Sequence, residues 1–80
     1  MSERAENIGQ RESLKHIRKR LEAEILSHRD SMRAALPLGG DPAEIDGEYV
    51  LALAVALQDK IAELQGVNRK VAILTREIDG

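Results

Sequence analysis

The helical pattern of this 80-residue chain breaks once, between Leu36 and Glu48, and that single break dictates the architecture. Pro37 pushes the residue before it out of helical geometry, and Gly39–Gly40 supply a turn. Upstream, Leu14, Ile17, Leu21, Ile25, His28, Met32 and Ala35 step by three or four along one stripe, the mark of an amphipathic helix. Downstream, Val50, Leu57, Leu64, Val71 and Ile78 recur every seventh residue. Leu53, Val67 and Leu74 fill the intervening positions, with Lys60 as the exception and Ile61 beside it, which makes an a/d seam. Two striped helices joined by a short turn must fold back to cover each other. The pattern predicts an all-α chain: one antiparallel, coiled-coil-like two-helix hairpin, helix 1 about 10–36, turn 37–41, helix 2 about 42–78. Asn7 and Gln10 offer a weak cap for helix 1, leaving residues 1–6 frayed. Asp41, Pro42 and Glu44 match the N-cap, N1 and N3 positions of helix 2, a capping box. A bend at Gly39 would bring Leu14 beside Gln65, Leu21 beside Gln58 and Leu36 beside Ala43, within a turn.

Composition agrees with helices and excludes much else. Tyr49 is the only aromatic residue and there is no cysteine, so the core must be aliphatic and neither a disulfide nor a thiolate metal site can reinforce it. Strands favour aromatic as well as β-branched residues, and an aliphatic core with a single aromatic suits helix-on-helix packing better. No apolar run approaches the ~18 residues of a membrane span and no charged-then-apolar leader opens the chain, so the expectation is a cytoplasmic protein without membrane contact. The formal net charge of −2 is too small to argue for nucleic acid, and no direct DNA binding is expected. Its distribution is uneven. Residues 1–36 carry eight Lys/Arg against six Asp/Glu, and residues 37–80 four against eight. The two arms therefore attract, and head-to-tail pairing of two copies is favoured as well.

The run Tyr49–Leu57 is apolar all round, whereas a hairpin buries only one stripe per helix. Leu51 and Val55 are thus expected on a second, uncovered face, and covering them is worth several kcal/mol at ~25 cal/mol per Å². Val71–Leu74 faces too little apolar surface under the expected register and adds to the deficit. The simplest cover is a second copy, the hairpin dimerising into a four-helix bundle.

The break is also acidic: Asp41, Glu44, Asp46 and Glu48 fall together with no basic residue among them. Such carboxylates have three uses. They cap the helix behind them and favour its dipole, they ligate Mg²⁺ together with oxygens from a partner, or they present charge to another protein. The basic cluster Lys15, Arg18, Lys19 reads first as a solvated face paired with Glu12, Glu22 and Glu24, since it has no interleaved aromatics for single-strand stacking. His16 and His28 are too far apart for a helical zinc pair, and His28 reads as a seam residue with a local hydrogen bond or, if buried, a mild pH sensor. No nucleophile–base set and no phosphate loop is visible, so the chain is read as a non-enzyme without a cofactor of its own.

Gly40–Glu44 followed by Glu48–Tyr49 resembles the Gly-Asp-x-x-Glu…Glu-Tyr tip of the Gre transcript-cleavage factors. Gln58, Ile61–Leu64, Val71 and Leu74 are similar to the return helix of their N-terminal hairpin, and Gly9 with Leu14–Lys15 to its beginning. Asp46–Gly47 stands where the family has one small residue, the segment after Tyr49 is more apolar here, and the likeness covers the hairpin alone. The resemblance implies entry into the secondary channel of bacterial RNA polymerase. Asp41 and Glu44 would be the Mg²⁺ pair in a site shared with that partner, Tyr49 a tip contact, and the basic face a contact for RNA or polymerase. A second likeness, to the small all-helical chaperones of type III secretion needle subunits, rests on the Gly-Gly-Asp turn and an early Tyr in helix 2. It implies an adaptor or small chaperone with no transcription role. Such a hairpin would self-associate or clamp a partner's amphipathic helix through Tyr49–Leu57 and Val71–Leu74, and Asp46, Glu48, Tyr49, Leu51 and Val55 are the candidate partner-binding residues.

Overall fold

In the computed structural model, which describes residues 3–79, the chain is an antiparallel hairpin of two α-helices with no strand among the described residues. Helix α1 spans Glu3–Ala35 and α2 spans Gly47–Asp79, each 33 residues and about 50 Å long. The molecule measures 62 × 17 × 15 Å. The rod follows from the sequence: one break allows one reversal, and two stripes of matching length cover each other from end to end.

The bend is longer than expected. Helix α1 ends with the Leu36 N–H donating to the Met32 carbonyl at 3.0 Å, just before Pro37. Pro42–Glu44 then forms a single 3₁₀ turn instead of the first turn of helix 2, and α2 begins only at Gly47. Gly47 therefore stands at the helix start, where its backbone freedom costs little. Helix α1 also starts earlier than expected: Asn7 and Gln10 lie within it and Glu3–Glu6 is helical, so no cap forms near residue 10. Met1 and Ser2, included in the expected frayed end, lie outside the described residues.

Lengthening the bend moves its midpoint toward Asp41–Pro42 and slides the register. The Asn7 amide donates to Glu77 Oε2 at 3.3 Å, and Lys60 pairs with Glu24. A bend at Gly39 would instead have set Asn7 opposite Ala72 and Glu24 opposite Val55. The shift is about five residues, little more than one turn. It rescues Val71: that side chain joins Leu21 and Val67 in the buried core, with Leu14, Ile17 and Leu64 packed against them.

Every expected seam residue of α2, from Val50 to Ile78, is buried or half-buried, and so is the stripe of α1 from Leu14 to Ala35. Among the described residues only Leu21, Val67 and Val71 are buried, however, and only Leu21 completely. Two rods cannot enclose a side chain except at their closest approach, and α1 dilutes its seam with half-buried Asn7, Arg11, Glu24, His28 and Ser31. The core is correspondingly small.

Candidate functional site

Two surfaces carry what the hairpin does not bury. The first is the tip. Gly40 adopts φ 96°, a left-handed conformation that favours glycine, and turns the chain into Asp41. Asp41 Oδ1 accepts from the Ala43 N–H at 2.9 Å, and its carbonyl accepts from Glu44 N–H at 3.0 Å. Asp41 thus caps the 3₁₀ turn, not α2. That second task falls to Asp46, whose Oδ1 accepts from the Tyr49 N–H at 3.1 Å while its carbonyl accepts from Val50 N–H at 3.0 Å. The expected capping box with Glu44 at N3 of α2 does not form, because Asp46 stands nearer to the apolar run and has the better position for the same job. Two aspartate caps in series therefore hold the tip.

Asp41, Glu44, Asp46 and Glu48 are all exposed. Interleaved with them are Leu38, fully exposed, and Leu36, Ile45 and Tyr49, each 40–50% exposed. Ala34, Ala35, Pro37, Gly40, Ile45 and Tyr49 line a shallow cleft there. The tip is apolar as well as acidic, a feature that carboxylate spacing alone does not suggest. Leu38 between Pro37 and Gly39 was the available signal, an aliphatic side chain in a segment with no helix to bury it. Among the described residues no group of three or more His, Asp or Glu side chains is gathered to hold a metal. Asp41 and Glu44 sit on the same 3₁₀ turn, with one Asp41 oxygen already engaged by the backbone.

The second surface is the outer face of α2. Leu51, Val55 and Ile73 are 65%, 54% and 49% exposed. With Gln58, Ala62 and Arg69 they form one stripe, roughly half a turn round the helix from the seam. Leu51 and Val55 are thus uncovered, as the apolar run requires. Ile73 joins them because it lies two residues, about 200° round the helix, from Val71, which the heptad repeat places on the seam.

The basic cluster of α1 is a paired face at the surface. Lys15 Nζ lies 3.6 Å from Glu12 Oε1, Arg18 Nε 3.8 Å from Glu22, and Arg20 Nε 3.6 Å from Glu24, all at i,i+3 or i,i+4 spacing. Lys19 stands exposed beside them. His28 Nδ1 lies 2.9 Å from the Glu24 carbonyl, which can only accept, so Nδ1 carries the proton. Glu24 is the hub of this region. Lys60, the polar exception in the α2 seam, reaches across to it and holds its carboxyl below the ordinary glutamate value, despite partial desolvation and with help from Arg20. The cross-helix pair gives Lys60 a structural reason for its seam position.

Among the described residues no helix is long and apolar enough to cross a membrane. No protein-family model, no curated protein and no solved structure matches the chain.

Proposed function

We propose that this chain is a non-enzymatic protein–protein interaction module, a helical hairpin that self-associates through the outer face of α2 and offers its tip to a further protein. One observation carries the reading: Leu51, Val55 and Ile73 stand exposed on a helix face turned away from α1, while among the described residues only three hydrophobic side chains are buried. Leaving such a face in water forfeits several kcal/mol that association recovers at ~25 cal/mol per Å². The simplest assembly that covers it is two hairpins packed α2 against α2, four helices side by side in place of the closed four-helix bundle the sequence suggested. Sedimentation equilibrium tests this. The chain is expected to run heavier than its 8.8 kDa monomer at micromolar concentration, and the L51E/V55E variant to run as a folded monomer. A wild-type monomer across that range overturns self-association.

A more specific role for the tip is favoured by Asp41 and Glu44 standing exposed together at the end of a 62 Å rod. On the Gre-like reading the tip reaches into the channel of bacterial RNA polymerase and supplies carboxylates toward a Mg²⁺ site shared with that enzyme. Stimulated cleavage of backtracked RNA, lost in D41N/E44Q, is the expected result in a purified transcription assay. Unchanged cleavage on adding the wild-type hairpin removes this role and leaves the adaptor reading, in which Tyr49 and the apolar tip residues contact a client protein.

A further inference from the structure

The outer face of α2 has an internal symmetry that specifies how two copies meet. Glu48, Val55, Ala62, Arg69 and Arg76 recur every seventh residue along it, all exposed, and Ala62 is the middle member. Leu51 and Ile73 lie equally far from Ala62 on either side, as do Gln58 and Gly66, and Glu48 and Arg76. A two-fold axis through Ala62 therefore maps each apolar end of the stripe onto the other. Ala62 on the axis is small, and Gly66 one turn away leaves open space, since a Cβ there would meet only the far end of the Arg69 side chain at 3.9 Å. Two helices can approach closely at that point.

Charge chooses the same orientation. The tip half of the hairpin, residues 23–61, carries three Lys/Arg against seven Asp/Glu; the remaining residues carry nine against seven. The rod is thus negative at the bend and positive at its open end. Two copies laid side by side in the same sense would set acidic half on acidic half, and reversing one relieves this. In the reversed arrangement Glu48 also comes opposite Arg76, twice by symmetry.

Resting on the self-association reading, we infer that the partner for this face is a second copy of the chain, bound antiparallel about a two-fold axis at Ala62. Leu51 of each copy packs on Ile73 of the other, Val55 lies along the aliphatic stem of Arg69, and Glu48 pairs with Arg76. The contact is isologous, so it closes at two copies and leaves both acidic tips free at opposite ends of the particle.

The chain has no cysteine, so single cysteines report the arrangement directly. The Ala62→Cys variant is expected to cross-link to itself under mild oxidation, since residues on the axis face each other. Spin labels on Asp79→Cys are expected about 50 Å apart, twice the rise from residue 62 to 79. Glu48→Arg and Arg76→Glu should each weaken dimerisation several-fold, and the two together should restore it. A dimer with close Asp79 labels overturns the antiparallel arrangement while leaving self-association intact. A dimer in which Ala62→Cys fails to cross-link and L51E/V55E has no effect moves the contact off this face and overturns the inference. A monomer at every concentration removes the underlying reading as well.

Discussion

At the scale of single residues, the tip shows two aspartates dividing work that the linear pattern assigns to one. Asp41 and Asp46 both precede a residue able to start a helix, and both lie a few positions ahead of a glutamate or tyrosine. They differ in the backbone beyond them, which continues as 33 helical residues after Asp46 and as three after Asp41. The energetic consequences should differ accordingly. Asp46→Ala removes the cap of a long helix and is expected to cost about 1 kcal/mol in chemical denaturation, and Asp41→Ala less, because only a local turn loosens. Equal costs would show that the 3₁₀ turn is integral to the start of α2. Leu21, 1% exposed at the centre of the small core, is the other sensitive residue. Leu21→Ala is expected to cost about 2–5 kcal/mol, a large part of the stability of so small a core, and circular-dichroism melts should show much or all of the helicity lost near 37 °C. Its importance was legible only as membership of a stripe. Nothing in the spacing distinguishes Leu21 from Leu14 or Ile25; burial depends on where the rods come nearest.

At the scale of elements, α1 and α2 were legible as helices and their register was not. Periodicity reports which side of a helix is apolar, and it reports that equally well for any sliding of one helix along the other by a turn. The length of the bend decides the sliding, and the bend contains competing signals: Asp41–Pro42 is a good helix start and Asp46 a better-placed one. The Glu24–Lys60 pair records the outcome, because a register tighter by five residues would set Glu24 opposite Val55. This pair also makes the hairpin pH-sensitive with a defined sign. Lys60 holds the Glu24 carboxyl below its ordinary value, so the folded state binds that proton less readily than the unfolded chain. The resulting stabilisation is complete above the ordinary glutamate range and is lost as pH falls through the lowered folded value. Thermal melts should therefore show a fall in midpoint on acidification that is smaller in Lys60→Met. An identical acid slope in that variant would show that Glu24 draws no stability from Lys60.

At the scale of the whole molecule, the hairpin is a 62 Å rod with a negative bend and a positive open end, and its behaviour in solution should reflect that polarity. Exposed charges are screened beyond about 8–10 Å at physiological salt, so the apolar stripe supplies affinity and charge supplies direction. Raising salt to about 1 M is expected to weaken association only modestly in sedimentation while diminishing the penalty of Glu48→Arg. A large loss of association in the wild type would mean that ion pairs, not Leu51, Val55 and Ile73, hold the copies together. What the amino-acid sequence determined alone was local: two amphipathic helices, one reversal, an acidic bend, and a run from Tyr49 to Leu57 with more apolar surface than one neighbour can cover. These arise from backbone sterics at Pro37 and Gly40 and from side-chain spacing, both properties of consecutive residues. The tertiary structure decided which aspartate caps which turn, that Lys60 meets Glu24 across the seam, and that Leu21, Val67 and Val71 are the most deeply buried of the striped residues. Those outcomes depend on the register of two rods. Register is a competition between whole-length alignments that differ by one turn of helix, and no short stretch of sequence contains it.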